Sequence, residues 1–181
     1  MTSFSAVLPA PTFCPPTPSP ALAGGETACA AILSAPTFSI GIRCTDDGLT
    51  EIVYLEPCAG IEPKTPLAKE AVRQLRAYLK DPRFVFSLPL APAGTAFQRK
   101  VWQGIAAIAV GETRSYGALA QALGSGPRAV GNACGANPYP LVVPCHRVVA
   151  ANRGLGGFAR RRGGFLLDVK RWLLAHEGAR R

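Results

Sequence analysis

Between Thr95 and Ala136 the chain reads as three short helices in quick succession, and the third is an unusual one. Thr95-Ala96-Phe97-Gln98 has the form of a capping box, and Phe97, Val101, Ile105 and Ile108 follow at helical spacing. Gly111-Glu112-Thr113-Arg114-Ser115 is a connection. Tyr116–Leu123 is a second helix, which Gly124 is placed to close. Ser125 and Pro127 are then expected to cap and start a third, running through about Ala136. Two short helices joined by a glycine-containing turn outline a helix-turn-helix, although many helical hairpins share that outline. In the third helix Arg128 is the one long side chain, and Gly131 and Gly135 each cost roughly 1 kcal/mol relative to alanine. Either this helix packs tightly on a neighbour, or it approaches another backbone closely in a groove with Arg128 as its reaching residue.

Charge divides the chain at the same place. The net charge is +9, yet residues 1–91 carry 7 Lys+Arg against 8 Asp+Glu, while residues 92–181 carry 13 against 3. Eleven of those 13 bases are arginine, whose planar fork suits phosphates and base edges better than lysine does. A solvated basic face is one reading; a polyanion, most often nucleic acid, is the better one. The 48% hydrophobic and 17% charged content is that of a globular chain. No stretch approaches the roughly 18 apolar residues of a membrane span, so a membrane is not expected as a partner. Met1–Ala10 lacks a basic start and is broken by proline, which argues against a secretory signal.

The first half divides in turn. Residues 1–25, with six prolines in the first 20 positions, read as an extended and weakly ordered leader. Residues 26–90 read as a small α/β unit. Phe38–Ile42, the turn Asp46-Asp47-Gly48 and Ile52–Leu55 form a hairpin pattern, and Lys69–Lys80 is an amphipathic helix with Val72, Leu75 and Leu79 on one face. Phe84–Leu88 is expected to add a strand, and this half offers no chemistry of its own. After the linker Pro89–Gly94, residues 91–181 form the second, basic unit. The six cysteines show no CxxC spacing, and with only His146 and His176 available no Cys/His zinc cluster can be assembled. They read as reduced thiols in a cytoplasmic or nucleoid setting.

Chemistry concentrates in Asn137-Pro138-Tyr139-Pro140-Leu141-Val142-Val143-Pro144-Cys145-His146-Arg147-Val148-Val149. An apolar run delivers a Cys-His pair beside an arginine. A thiol is only a few per cent thiolate at neutral pH, and an imidazole or a nearby cation raises that fraction. Neighbours on a regular strand face opposite ways, so contact between Cys145 and His146 needs a turn or a bridging water. A lone buried cysteine, by contrast, is usually inert. In the last helix, Leu166–Glu177, the residues Leu166, Val169, Leu173 and Leu174 form an apolar face, with Glu177 on or beside it. Glu177 either pairs with His146 to make a Cys–His–Glu relay or lies exposed in a final turn.

Pro144-Cys145-His146-Arg147-Val148-Val149 resembles the signature of the O6-alkylguanine-DNA alkyltransferases. Thr95–Trp102, Gly111–Tyr116, Arg128-Ala129-Val130-Gly131, Asn137-Pro138 and Lys170–Glu177 agree with that family in order and spacing, over about residues 65–178. The resemblance implies a small α/β N-terminal domain, with an RNase H-like sheet and a helix, before a mostly α, winged-helix-like domain that binds DNA through its helix-turn-helix. It implies that Cys145 accepts the alkyl group, that His146 is a base acting through a water, that Glu177 orients it and that Asn137 supports the turn. Arg128 would enter the duplex in place of the flipped nucleotide. Tyr116 would press on the target phosphate and bond the base, with Ser125 and Gln98 also on DNA. Val148 and Cys145 would offer main-chain carbonyls to the base, in a pocket walled by Phe158 and Cys134. Cys134 stands where a bulkier apolar residue is common, which would loosen that pocket.

The implied reaction is irreversible, once-only transfer from O6-alkylguanine, and from O4-alkylthymine, in double-stranded DNA, by a monomer with no cofactor and no metal. A departure from the family pattern is Arg160-Arg161-Arg162, inserted before Gly163-Gly164 and after Ala159. Two other readings compete. One is a non-catalytic protein that binds alkylated bases and recruits repair factors; the other is a thiol hydrolase using Cys145 and His146.

Overall fold

The computed structural model describes residues 28–151, 154–158 and 164–179, so the proline-rich leader and the Arg160–Arg162 insertion lie outside the described residues. Three antiparallel strands, β1 (Ala31–Ser34), β2 (Ser39–Cys44) and β3 (Leu49–Leu55), form a sheet in sequence order. The expected hairpin is β2–β3, closed by the Thr45 amide on the Gly48 carbonyl at 3.0 Å. Helix α1 (Pro66–Lys80) starts where Thr65 accepts from the Ala68 amide, with proline in the first turn. It buries Val72, Leu75 and Tyr78 toward Phe38 and the sheet residues Ile40 and Ile42. Asp81, just before Pro82, ends it.

Phe84–Leu88 does not form the expected strand. The Ser87 amide donates to Gln74 Oε1 at 2.8 Å instead of to a neighbouring strand, and Pro89 has no amide to offer. The segment returns to the sheet only at Leu90, which bridges Leu49.

Helix α2 (Ala96–Ala106) carries the complete capping box, with the Gln98 amide on Thr95 and the Gln98 side chain on the Thr95 amide. Val101 and Ile105 are buried; Ile108 is buried too but lies past the helix end, and Phe97 is exposed. The short strand β4 (Arg114–Ser115) leads into α3 (Tyr116–Ala122), and α4 (Pro127–Gly135) follows across Gly124-Ser125-Gly126. Ser125 is not the cap of α4. Gly126 holds that position with no side-chain bond, and the Ser125 amide turns back to the Ala120 carbonyl at 2.9 Å. Strand β5 (Val148–Val149) pairs in parallel with β4, and α5 (Phe165–His176) completes the helical unit.

The two units share one core. The Ile52 amide donates to the Pro138 carbonyl at 2.8 Å, Phe38 meets Trp172 edge to face at 5.3 Å, and His176 bonds the Tyr78 carbonyl at 2.9 Å.

Candidate active site

A run from Tyr139 to Arg147 folds into consecutive turns that place Cys145 on the floor of a cleft. The Val143 amide bonds back to the Tyr139 carbonyl at 2.8 Å, and Leu141 between them has φ of 76°, a left-handed conformation that a branched residue holds only under constraint. Pro144, at φ −77° and ψ 65°, then makes an inverse γ-turn, closed by the Cys145 amide on the Val143 carbonyl at 2.8 Å. Asn137 braces this turn: its Nδ2 donates to the same Val143 carbonyl at 2.9 Å, and its Oδ1 accepts from the Tyr139 amide at 3.0 Å. Cys145–Arg147 is a single 3-10 turn. Cys145 and His146 thus share a turn, but no direct hydrogen bond joins them among the described residues.

Behind the cysteine is a buried polar cluster centred on Glu177, which caps the C-terminus of α5. His146 Nε2 lies 3.0 Å from Glu177 Oε1. Arg147 forks onto the carboxylate, Nε to Oε2 at 2.8 Å and Nη2 to Oε1 at 2.9 Å, and the Tyr78 hydroxyl donates to Oε1 at 2.8 Å. Burial by itself would raise the Glu177 carboxyl, but the donors His146 and Arg147 outweigh it and hold the group far below the usual carboxylate range. An ionised carboxylate only accepts, so the proton of neutral His146 sits on Nε2 and Nδ1 is the bare nitrogen. Burial lowers His146 below its ordinary value against the pull of Glu177, which keeps the ring neutral at pH 7. Among the described residues Nδ1 has no hydrogen-bond partner, although it is closed to solvent.

Cys145 is 6% exposed, and burial raises its thiol, with the Asn137 amide and the Lys170 ammonium pulling the other way. Lys170 is wholly buried on α5, and its ammonium donates to the carbonyls of Val148 and Leu155, both at 2.7 Å, and of Gly157 at 3.2 Å. It also lies 5.8 Å from the Tyr116 ring centre and 5.6 Å from that of Phe158. Lys170 thereby ties the strand after the cysteine to the loop that walls the cleft.

The cleft holds about 1070 Å³ and is bounded by the start of α2, by Tyr116, by one face of α4 and by Phe158. Of the residues singled out from sequence, Gln98, Tyr116, Arg128, Cys134, Cys145 and Phe158 line it. His146, Glu177 and Asn137 stand behind it. Arg128 is exposed at the start of α4, and Cys134 is buried, its thiol pushed up to about 12 by burial and by the nearby Cys145. Val148 is fully buried and absent from the cleft lining, and its carbonyl accepts from Lys170. Ser125 lies in the α3–α4 turn, outside the cleft lining. Tyr116 donates to the Gly157 carbonyl at 3.0 Å, and Gly156 must remain glycine beneath it: its φ is 68°, and a Cβ there would stand 2.9 Å from the Tyr116 ring.

Tight packing does not account for Gly131, where an added Cβ would meet nothing within 4 Å, although the opposite face of α4 buries Val130, Ala133 and Cys134. Three residues escaped the sequence reading. Arg147 sat inside the quoted motif, and Lys170 in the last helix, without a role. Tyr78 belongs to the half that promised no chemistry, and only its place on the apolar face of α1 could have drawn notice. Among the described residues no group of three or more His, Cys, Asp or Glu side chains is placed to hold a metal, and no helix is long and apolar enough to cross a membrane. The five described cysteines are free thiols.

Comparison with known proteins agrees with this geometry. Residues 96–179 match the family described as 6-O-methylguanine DNA methyltransferase, DNA binding domain. The chain is 38% identical over 157 residues to a methylated-DNA–protein-cysteine methyltransferase of Methanosarcina acetivorans, covering 82% of this chain and 97% of that one. It is 46% identical over 113 residues to the constitutive methylated-DNA–protein-cysteine methyltransferase of Bacillus subtilis, covering 60% of this chain and 68% of the other. The crystal structure of Mycobacterium tuberculosis OGT in complex with DNA superposes with a TM-score of 0.68 at 36% identity, over 81% of this chain and 91% of that one.

Proposed function

The chain belongs to the methylated-DNA–protein-cysteine methyltransferase family, which repairs O6-methylguanine by methyl transfer to cysteine, and we propose that Cys145 is the acceptor and is used once. The observation that carries this reading is the buried imidazole beside the cysteine, bare at Nδ1 and backed at Nε2 by an ionised Glu177. A thiol raised by burial needs a base, and His146 is a neutral one within the same 3-10 turn.

The Cys145 proton passes through a water to His146 Nδ1, and Glu177 stabilises the resulting imidazolium. The thiolate sulfur attacks the alkyl carbon as the bond from that carbon to guanine O6 breaks. The electron pair goes to the base, which takes the proton back from the His146 imidazolium by way of water and remains in the DNA as guanine. The thioether formed on Cys145 has no easy hydrolysis, so the protein is spent.

The substrate is double-stranded DNA bearing O6-alkylguanine, with O4-alkylthymine as a second lesion, and the protein acts as a monomer at the nucleoid in the cytoplasm. A base inside a duplex is out of reach, so the nucleotide is flipped into the cleft at a cost of a few kcal/mol. Arg128, exposed at the tip of α4, fills the gap, and the small residues of α4 let it sit in the minor groove. Tyr116 presses on the target phosphate and bonds the base, and Ser125 and Gln98 make further DNA contacts. The carbonyls of Cys145 and Val148 receive the guanine amino group; each already accepts one bond, from the Val148 amide and from Lys170, and keeps a second lone pair.

Intact-mass spectrometry after mixing with excess O6-methylguanine duplex tests the reading. The expected result is a gain of one methyl, mapped to Cys145 and lost in Cys145→Ser. DNA binding without an adduct would instead make the protein a reader of alkylated bases that recruits other factors.

A further inference from the structure

Two buried polar atoms near the nucleophile lack a hydrogen-bond partner among the described residues: His146 Nδ1 and the Tyr54 hydroxyl. The proposed mechanism uses the first and leaves the second unexplained. Tyr54 comes from β3, in the unit that precedes the DNA-binding one. The residue as a whole is half-buried, but its hydroxyl is closed to solvent, and a buried hydroxyl without a partner is costly enough to call for a reason.

Its placement supplies one. The Tyr54 ring packs at 5.5 Å on Phe158, the wall of the cleft, and at 5.7 Å edge to face on Phe38. Two residues earlier on the same strand, the Ile52 amide is bonded to Pro138, within the run that presents Cys145. The ionisable groups bearing on the Tyr54 phenol are Cys145 first, then Tyr78 and Glu177. Tyr54 therefore stands on the sheet side of the Phe158 wall, on a strand bonded to the run that presents Cys145.

We propose that the Tyr54 hydroxyl is a positioning residue for proton transfer from Cys145 to His146, holding the water that relays the proton. The inference rests on the reading of Cys145 and His146 given above. One water satisfies all three groups: it donates a hydrogen to His146 Nδ1 and accepts from the Tyr54 hydroxyl and from the Cys145 S–H. In the transfer the S–H bond breaks and its proton goes to the water, while a water proton moves to Nδ1. The products are a thiolate, an imidazolium and the same water, with the phenol unchanged. Burial, and then the negative charges around it, hold Tyr54 well above the ordinary phenol range, so it stays protonated throughout.

The other groups that bear on Cys145 and His146 are Arg147 on the same turn, Lys170 and Glu177 from α5 and its cap, Tyr78 from α1, Tyr116 from α3 and Cys134 from α4. All of them remain in Tyr54→Phe, which also keeps both ring contacts.

The test is the rate of iodoacetamide alkylation at Cys145 against pH, read by peptide mass spectrometry in the full chain and in Tyr54→Phe. The midpoint is expected to rise by about one pH unit in the variant, leaving about tenfold less thiolate at neutral pH. Methyl transfer from an O6-methylguanine duplex is expected to slow about tenfold at pH 7 and to recover at alkaline pH. Superimposable alkylation profiles overturn the proposal. So does a loss of reactivity that is equal at every pH, which would make Tyr54 a packing residue. Alkylation reads the thiol without DNA, so absence of a methyl adduct in the parent would sink the transferase reading separately.

Discussion

The Tyr78 hydroxyl, on α1 of the N-terminal unit, donates to Glu177 Oε1 at 2.8 Å across 99 positions of sequence. The carboxylate bonded to His146 is thus held from both units. Tyr78→Phe keeps the buried ring and removes one of the three donors on that oxygen. Loss of a charge-assisted bond of this kind costs about 1.5–3 kcal/mol, to be read from urea unfolding. Stability unchanged within error would show that the bond contributes nothing net.

Acid is expected to destabilise the fold in two stages. His146 is a base whose folded pKa lies below its ordinary 6.5, so the unfolded chain binds its proton more readily. Its contribution is full above about 6.5 and is lost as the pH falls below that value. Glu177, depressed from the ordinary 4.5, contributes above that value and loses its contribution on further acidification toward its folded pKa. Thermal unfolding between pH 8 and pH 3 should show a plateau, a decline starting near 6.5 and a steeper one below 4.5. A Tm that rises on acidification from pH 8 would contradict both directions.

Lys170→Met is expected to loosen the cleft wall. It leaves the carbonyls of Val148, Leu155 and Gly157 without their shared donor and removes the cation that opposes the upward shift of Cys145. Gly157 keeps its bond from Tyr116, so the loss falls on the Val148 and Leu155 carbonyls, at a cost of about 1–3 kcal/mol, together with a higher midpoint for Cys145 alkylation. An unchanged alkylation midpoint would remove Lys170 from the electrostatics of the thiol.

Gly131→Ala separates stability from function. The added methyl meets nothing within 4 Å and sits inside a helix, where alanine is better than glycine by about 1 kcal/mol. The variant should therefore unfold at higher urea concentration and yet bind duplex DNA less tightly if, as proposed above, DNA approaches along this face. Tighter DNA binding would show that α4 does not enter a groove along this face.

Arg128→Ala should slow repair of duplex DNA far more than reaction with free O6-benzylguanine, since only the duplex requires a nucleotide to be flipped. Arg128 is exposed and makes no part of the buried cluster, so folding should be unaffected. Equal losses on both substrates would contradict its role in the duplex.

Local pattern and motif order were enough for the β2–β3 hairpin, for α1, for the α2 capping box and for the Cys145-His146 pair, because each depends on neighbours within a few residues. The expected strand over Phe84–Leu88 failed for a tertiary reason: its backbone is claimed by the Gln74 side chain of α1. The expected Ser125 cap failed because the tight α3–α4 turn draws that amide back to Ala120. Arg160–Arg162, which stood out in sequence, lies outside the described residues.

The pairing of Glu177 with His146 marks the boundary between the two kinds of information. Sequence alone determined that a thiol, an imidazole and a carboxylate were available, in an order shared with one family, and it made a polyanion the better reading of the basic half. It left Glu177 either paired or exposed. Only the folded chain decided that the carboxylate is buried, that Arg147 and Tyr78 share it, that Lys170 ties Val148 to the cleft wall and that Tyr54 packs on Phe158. Burial and charge at a site are sums over groups far apart in the chain, and proximity of that kind exists only once the elements have packed.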